Sequence, residues 1–339
     1  MMEEKVKMSK IGKSLSLVAA ALLVTMVSLT ACAPAKPAEH YKLRIGNIAA
    51  LSTLPLFVMQ EQGFDKKNGL QLEVTPYSSG ESIINAIVAG ALDMSIAVGS
   101  VPALSAVERG IIPDKMLSVA ATSFADPQHP GSGVLAGASV TSWQDLKGQQ
   151  IAVQAKNSLQ GAAIKGRLLK EGVSDYTLVE ITFPNMGLAV AGGNVAAATM
   201  TEPFLTQSLL RKDGKLLDWV IGGPPFERME YTIVVCSSAL YRNNPQAVKA
   251  FLRAHLQAIK WIEDNPTDAR LILTRQLSLN PEIGQKIKLL RFPVDGRHDP
   301  ALLESMQPLL VETGLLKAPI PASRLYDETL LNEVLAEKR

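Results

Sequence analysis

The chain has 339 residues, of which 34 are basic and 32 acidic, and 47% are hydrophobic. Charge is nearly balanced and no basic run is present, which argues against nucleic acid as a partner, because phosphate binding needs a basic surface. Two cysteines allow at most one disulfide, and four scattered histidines show no metal-ligand spacing. We therefore expect no metal and no other cofactor.

The first 31 residues have the pattern of a lipoprotein signal peptide, which is removed before the protein functions. Four lysines precede an uncharged apolar stretch at 15–29, which is shorter than the ~20 residues of a membrane-spanning helix. The sequence Leu-Thr-Ala-Cys that ends at Cys32 resembles a lipobox. Cleavage there makes Cys32 the lipid attachment site and 32–40 a Pro/Ala-rich tether. An ordinary cleaved signal, or an uncleaved anchor, is the alternative.

Removal of this segment leaves 30 basic and 30 acidic residues, so the remaining chain is formally neutral. Two acyl chains on Cys32 would hold it firmly to a membrane, since each buried CH₂ contributes ~0.8 kcal/mol. We expect an extracytoplasmic protein, anchored by lipid to the cell membrane on its periplasmic or outer face. The other cysteine, Cys236, lies in an apolar run and is expected to be a buried structural thiol.

From residue 41 the chain alternates short apolar runs with amphipathic stretches, which is typical of βαβ units and a parallel sheet. The predicted strands and helices of a first α/β unit alternate, at 43–48, 54–62, 70–75, 81–89, 92–98, 101–109 and 116–122. Two prolines and two glycines at 124–133 then predict a crossover.

A second unit of the same kind follows, with predicted elements at 150–154, 159–170, 177–181, 186–191, 195–200, 203–211 and 217–221. The Gly-Gly-Pro-Pro sequence at 222–225 predicts a second crossover, and 231–237 predicts a strand that returns to the first unit. Beyond residue 245 the pattern is helical. The sequence thus predicts lobe I at 41–124 and 228–339, lobe II at 125–227, and a ligand cleft between them.

Small polar residues follow the predicted strands at the edge expected to face this cleft. They cap helix N-termini, which present free N–H groups and partial positive charge suited to a carboxylate, sulfonate, nitrate or phosphate. Each of these residues taken alone is a common helix cap and indicates no site. Because all of them lie at the same edge of the predicted sheets, together they predict a binding site. The predicted ligand contacts of this kind are Ser52, Thr53, Ser79, Gly99, Ser100, Asn157, Ser158 and Asn185.

Glu202 is the one charged candidate at such a position, directly before Pro203. Its carboxylate can accept hydrogen bonds from a ligand, and it can equally complement the dipole of its own helix. His255 lies within the apolar stripe of the helix predicted at 246–263 and is expected to be a core residue rather than a base.

Several motifs, in order along the chain, resemble the solute-binding proteins of ABC importers for nitrate, sulfonates, taurine and thiamine-pyrimidine precursors. They are AGALD at 89–93, GSVP at 99–102, DLKG at 145–148, EPF at 202–204 and TGLL at 313–316. The resemblance implies a two-lobed type II periplasmic-binding fold, a monomer, importer permease subunits as partners, and ligand contacts from the loops named above. It also implies that Asp93 is structural.

The favoured function is therefore passive binding of a small sulfonate, nitrate or similar oxyanion-bearing organic solute, and no catalytic residue is expected. A thiamine-pyrimidine-precursor binder is the alternative ligand class. An enzyme on the same fold is a second alternative, although the pyrimidine synthases that resemble these binders use a Cys-rich motif, and no Cys cluster is present. A sensor that reports ligand binding to a receptor is the third alternative.

Overall fold

The computed structural model describes residues 40–337, and the described residues from Tyr41 onward form one compact unit. The predicted signal peptide, the lipid attachment site at Cys32 and the tether up to residue 39 lie outside the described residues. In the described part of the chain, no helix combines the length and the apolar character needed to span a bilayer.

The described residues form two five-stranded sheets. The strands are β1 Tyr41–Asn47, β2 Leu70–Pro76, β3 Met94–Gly99, β4 Met116–Ala125, β5 Ser132–Ala136, β6 Gln149–Val153, β7 Tyr176–Glu180, β8 Ala197–Thr201, β9 Lys215–Ile221 and β10 Met229–Ser237. Sheet 1 has the order β2-β1-β3-β10-β4, and sheet 2 has the order β7-β6-β8-β5-β9. The two sheets have the same arrangement, and each is the centre of one lobe.

Helices cover the sheets. They are α1 Leu54–Glu61, α2 Phe64–Lys67, α3 Gly80–Val88, α4 Ser100–Glu108, α5 Leu159–Lys170, α6 Phe183–Ala191, α7 Phe204–Arg211, α8 Ser238–Asn243, α9 Pro245–Asp264, α10 Pro266–Gln276, α11 Pro281–Lys286, α12 Pro300–Glu312 and α13 Thr329–Ala336. This is the predicted α/β, two-lobed type II periplasmic-binding-protein fold with a helical C-terminal region. The lobe boundaries themselves stay a prediction.

The sheets are mixed, whereas the sequence pattern predicted parallel sheets. In sheet 1, β1 pairs in parallel with β2 and β3, but β10 runs antiparallel to both of its neighbours. In sheet 2, β5 runs antiparallel to β8 and β9. β5 was not predicted, because it begins inside the expected crossover and no helix follows it. Each sheet therefore receives one reversed strand directly after a crossover.

The core of lobe I is closed by α9, whose apolar stripe includes Phe251, Leu252 and Ile259, all buried. His255 belongs to this stripe, is completely buried, and its Nε2 lies 3.3 Å from the carbonyl oxygen of Ala121. Burial lowers the pKa of His255 to about 4. It is a core residue, as predicted from the stripe.

Two further sequence-based interpretations concern residues of sheet 1. Cys236 is a free, fully buried thiol on β10, and burial raises its pKa, so it has the structural role expected of it. Asp93 accepts hydrogen bonds from the backbone and the side chain of Arg44, including one of 2.7 Å from Nη2. That ion pair fixes the turn before β3, which agrees with the structural role implied for Asp93.

The C-terminal segment covers the outer edge of sheet 1. Phe124 and Arg291 exchange backbone hydrogen bonds of 2.8 and 3.1 Å, and the amide of Ala121 donates to Gly296 at 2.8 Å. Further along β4, Ser118 exchanges backbone hydrogen bonds with Leu325 and Asp327. The edge strand β4 is thereby paired along its length, although the segment itself forms isolated bridges rather than a strand.

Candidate functional site

A cavity lies between the two sheets, at the ends of strands from both lobes. Its free space for water-sized particles is about 60 Å³. This exceeds the roughly 10–15 Å³ needed to hold a single water molecule and is small for a larger organic ligand. The cavity therefore has the size of a small ion or of the head group of a small organic molecule.

The polar lining of the cavity is contributed by both lobes and consists of neutral groups. The main polar side chains are those of Ser52, Gln154, Ser158, Gln160, Thr201 and Tyr231. Among the described residues, no lysine, arginine, aspartate or glutamate lines this cavity. A ligand here is recognised by hydrogen bonds and backbone dipoles rather than by a full opposite charge.

Ser52 supplies an unused donor from lobe I. It lies in a short 3₁₀ turn before α1, is 6% exposed and lines the cavity. Within the described part of the chain its hydroxyl has no hydrogen-bond partner. The oxygen is open to the cavity and is not among the fully buried side-chain atoms without a partner, so a ligand oxygen can accept its hydrogen bond in place of water.

The N-terminus of α5 supplies unused donors from lobe II. Ser158 caps this helix by accepting a hydrogen bond of 3.1 Å from the amide of Gly161. The amides of Leu159 and Gln160 have no acceptor in the described structure, and both residues line the cavity. The first turn of a twelve-residue helix thus lies at the cavity, and its unused N–H groups carry the positive end of the helix dipole.

The cavity also has apolar lining residues, and these come from both lobes as well. It is formed by Ile48, Ala50, Ala97, Pro102, Leu159 and Phe183. Phe183 begins α6 and is stacked on Phe204, the first residue of α7, with ring centroids 5.6 Å apart. A ligand with an oxyanion at one end and a short apolar portion at the other matches this division of the surface.

Two direct contacts cross the cleft beside the cavity. The amide of Leu51 in lobe I donates to the carbonyl oxygen of Glu202 in lobe II at 3.2 Å. The side-chain amide of Gln154 in lobe II donates to the carbonyl oxygen of Ser78 in lobe I. The lobes are therefore in contact across the cleft, and the cavity is closed on these sides.

The predicted site residues are distributed over four kinds of position. Ser52, Gly99 and Ser158 line the cavity. Ser79 caps α3 beside it, accepting a hydrogen bond of 3.1 Å from Ser82. The side chains of Thr53 and Ser100 are buried and donate to backbone carbonyls of Ile48 and Glu230, while Asn157 and Asn185 are exposed. Ligand contact by any of these residues stays a prediction.

Glu202 is held by its own helix. Its two carboxylate oxygens accept hydrogen bonds from the Thr206 hydroxyl at 2.8 Å and the Thr206 amide at 3.1 Å. The side chain is not part of the cavity lining, and the residue is 3% exposed. Burial raises the pKa of Glu202 to about 6, against the opposing effect of the Thr206 hydrogen bonds. Of the two interpretations of this residue, the geometry favours the helix cap.

Five polar residues of the lining were not among the predicted contacts: Gln154, Gln160, Thr201, Tyr231 and Thr232. Gln154 directly follows β6 and Thr201 ends β8, so the rule that ligands bind at strand ends contained a signal for both. Gln160 is in the first turn of α5, two residues after the predicted contact Ser158. Tyr231 is on the returning strand, and its place in the cleft depends on how the two sheets meet.

One arrangement elsewhere in lobe I resembles a nucleophile–base pair. The Oγ of Ser118 lies 3.2 Å from Nε2 of His298, and Nδ1 of His298 lies 2.6 Å from Oε1 of Glu230. Ser118 and Glu230 are both completely buried, and Ser118 also donates to the carbonyl oxygen of Val234. A serine without access to substrate cannot act as a nucleophile, so this cluster is structural.

Among residues 40–337, no three His, Cys, Asp or Glu side chains come together as metal ligands would.

The fold and the interlobe cavity are those of the periplasmic-binding-protein class. Residues 36–275 match the NMT1-like family, which is well over half of the chain, and the protein belongs to this family. A relative in Bacillus subtilis (strain 168), "Putative binding protein YtlA", is 23% identical over 331 residues, covering 92% of this chain and 95% of the relative.

Solved structures show the same fold at low identity. The alkanesulfonate-binding protein SsuA from Xanthomonas axonopodis pv. citri, bound to MOPS, has a TM-score of 0.67 and 22% identity, and covers 86% of this chain and 99% of its own. The nitrate-binding protein NrtA from Synechocystis PCC 6803 has a TM-score of 0.73 and 16% identity, covering 88% and 89%. The desulfurization enzyme DSZB has a TM-score of 0.65 and 19% identity, covering 88% and 99%. The fold thus supports both binding proteins and an enzyme.

Proposed function

We propose that this protein is an extracytoplasmic lipoprotein that binds a small oxyanion-bearing solute, such as a sulfonate or nitrate, and delivers it to the permease subunits of an ABC importer. The observation that carries the proposal is the interlobe cavity, where unpartnered donors converge without any charged side chain among the described lining residues. Membership of the NMT1-like family and similarity to sulfonate- and nitrate-binding proteins support the same class.

The donor-rich lining favours a group that accepts hydrogen bonds. The unused groups identified above, the Ser52 hydroxyl and the amides of Leu159 and Gln160, are all donors. A sulfonate or nitrate oxygen accepts several such bonds, and its charge is stabilised by helix N-termini. The one nearby carboxylate, Glu202, is already occupied by Thr206.

We expect this lining to discriminate between two ligands that differ by one amino group. Taurine is ethanesulfonate with an added ammonium group, and an ammonium needs carboxylate or carbonyl acceptors. The described cavity lining has no carboxylate for it. The side-chain carbonyls of Gln154 and Gln160 are neutral and compensate an ammonium less well than a carboxylate would, so we expect ethanesulfonate to bind more tightly than taurine.

The test is thermal unfolding of the chain from residue 33 onward, which contains the whole compact unit, with nitrate, bicarbonate, ethanesulfonate, taurine, benzenesulfonate and an aminopyrimidine. A ligand at 100 times its Kd adds ~2.7 kcal/mol to the free energy of unfolding. At roughly 2–4 °C per kcal/mol, Tm rises by several degrees. Ser52→Ala should reduce the rise, whereas the exposed Ser305→Ala should leave it unchanged.

The outcomes are distinct. A shift with ethanesulfonate or nitrate that Ser52→Ala reduces supports the proposed ligand class. A shift with the aminopyrimidine alone would favour the thiamine-precursor alternative. Chemical conversion of any compound in the panel, followed by mass spectrometry, would overturn passive binding in favour of an enzyme on this fold.

The lipid anchor needs its own experiment. Expression of the full chain and of Cys32→Ser, followed by membrane fractionation and mass spectrometry, tests the attachment site predicted from the sequence. The wild-type protein should be in the membrane fraction with a diacylglyceryl mass on Cys32. Equal fractionation of the two proteins, without the lipid mass, would contradict the proposal.

A further inference from the structure

Tyr231 belongs to lobe I by its backbone. It is on β10, which lies between β3 and β4 in sheet 1, and it follows the second crossover directly. Its ring lines the cavity, and the residue is 4% exposed. Burial raises its pKa, so the phenol is protonated at neutral pH and can donate as well as accept a hydrogen bond.

The hydroxyl of Tyr231 is surrounded by lobe II. The Ser132 hydroxyl on β5 is 3.1 Å away, the Thr201 hydroxyl at the end of β8 is 3.2 Å away, and the Gln160 amide of α5 donates at 2.9 Å. The carbonyl oxygen of Gly131 lies at 3.3 Å. Side chains of β5, β8 and α5, all in lobe II, are therefore within hydrogen-bonding distance of one oxygen atom that belongs to sheet 1.

The directions of these hydrogen bonds are constrained by the groups themselves. The Gln160 amide has only hydrogens to offer at Nε2, so the Tyr231 oxygen accepts there. The Thr201 hydroxyl donates to the Gly131 carbonyl oxygen at 2.8 Å, which leaves its lone pairs free to accept the phenol proton. The network contains no charged group, and the hydrogen bonds of the Tyr231 hydroxyl are formed only while the phenol lies against lobe II.

Gln160 and Tyr231 also both line the cavity. The same two side chains that join the lobes thus form part of the surface that a ligand would contact. In a two-lobed protein that opens about crossovers, α5 and the end of β8 move with lobe II, whereas β10 stays with lobe I. Opening would separate the phenol from Gln160 and Thr201.

We propose that Tyr231 is a positioning residue that couples occupancy of the cleft to closure of the two lobes, through its hydrogen bonds to Ser132, Gln160 and Thr201. The inference rests on the proposed binding function. It assigns to this phenol a share of the free energy that holds the lobes together, apart from any contact with the ligand.

The first experiment needs no ligand. Tyr231→Phe keeps the buried ring and removes the hydroxyl, and small-angle X-ray scattering of the ligand-free protein measures the radius of gyration. We expect a larger radius than in the wild type, because the closed population falls. The matched control is Tyr326→Phe, which removes another buried phenol hydroxyl, one that donates to Glu230 at 2.9 Å within lobe I. Its radius should equal that of the wild type.

The second experiment measures binding of nitrate and of ethanesulfonate by stopped-flow fluorescence and titration calorimetry. If the binding-competent closed state is less populated, the apparent Kd rises in proportion. Loss of neutral hydrogen bonds of ordinary strength gives a rise on the order of tenfold, chiefly through faster dissociation. Ser132→Ala, on the lobe II side, should reproduce part of this effect, and the double variant should be less than additive.

An unchanged ligand-free radius in Tyr231→Phe would overturn the inference, whatever the binding result. So would an equal change of radius in Tyr326→Phe, because the effect would then be general destabilisation. If neither anion binds the wild-type protein but the radius changes as expected, the proposed ligand class fails while the role of Tyr231 stands.

Discussion

Glu230 and Tyr231 are adjacent on β10, where the register against β4 shifts, and their side chains have different surroundings. The Glu230 side chain is in a charged cluster, where it accepts hydrogen bonds from His298 at 2.6 Å and Tyr326 at 2.9 Å. The His298 and Tyr326 rings are stacked, with centroids 3.7 Å apart. Tyr231 faces the cleft, where every group within hydrogen-bonding distance of its hydroxyl is neutral.

The two regions differ in how completely their polar groups are partnered. Every polar side-chain atom of the Glu230 cluster that is named above has a partner within lobe I, so the cluster stabilises the fold and has nothing left to offer a ligand. The cleft keeps the Ser52 hydroxyl and two helix amides without partners. Donors that line a cavity and that the fold itself does not use stay available to a ligand, which is expected of a site that binds something.

The largest loss of free energy of unfolding is expected for a substitution at Glu230. Glu230→Ala removes the acceptor of the buried His298 and of the half-buried Tyr326, and a buried donor left without a partner costs about 1–3 kcal/mol each. Urea unfolding monitored by circular dichroism measures the loss. The exposed Glu312→Ala is the control and should change the free energy of unfolding by less than ~0.5 kcal/mol. A loss at Glu230 no larger than that of the control would show that the cluster is not stabilising.

A smaller effect is expected where the crossover meets the cleft. A Cβ atom on Gly131 would lie 2.8 Å from Cε2 of Tyr231 and 2.9 Å from Cγ2 of Ile221. Gly131→Ala should therefore displace the Tyr231 ring and cost about 1–3 kcal/mol, as overpacking does. Gly137→Ala, whose nearest contact would be 3.4 Å from the carbonyl oxygen of Ala196, is the matched control. Thermal unfolding of both variants provides the measurement, and equal losses would contradict the packing argument.

The buried carboxylate of Glu202 should make the free energy of unfolding vary with pH, by about 2 kcal/mol. Its pKa is about 6 in the folded protein, above the ordinary value of 4.5, because burial disfavours the charge. Between these values the folded state binds more protons than the unfolded state, so stability falls as pH rises from about 4.5 to about 6. Glu202→Gln should lack this loss, with a stability advantage at pH 7.5 that disappears at pH 4.5.

The measurement for Glu202 is the difference in free energy of unfolding between wild type and Glu202→Gln across this pH range. Taking the difference removes the contribution of His255, whose pKa is lowered to about 4 and whose effect has the opposite sign. A difference that does not vary with pH would mean that the carboxylate has no raised pKa.

The smallest stability change is expected at Ser52, although its effect on binding is large. Its hydroxyl has no partner in the described structure, so Ser52→Ala should change the free energy of unfolding by no more than ~0.5 kcal/mol, or raise it slightly. Denaturant unfolding without ligand checks this. A loss above 1 kcal/mol would mean that the hydroxyl has a structural partner after all, and the contrast with Glu230 would fail.

Local patterns were sufficient for most of the fold and for one part of the site. Ser52, Gly99 and Ser158 were found because each follows a strand and begins a helix, and these are short-range features. β5 was missed because it is a central antiparallel strand that no helix follows, so the alternation of strand and helix does not reveal it. Tyr231 was missed for a different reason: its partners come from residues 131–201, and only the meeting of two sheets brings them to it.

The C-terminal segment has a consequence for where this protein can be shortened. The family match ends at residue 275, yet residues 291–296 and 325–327 supply the backbone partners of β4. A chain ending at 275 would present a ten-residue strand with an open row of donors and acceptors, which is a template for self-association. Residues beyond 275 therefore cover this edge, and we expect a chain that ends with the family match to self-associate through it.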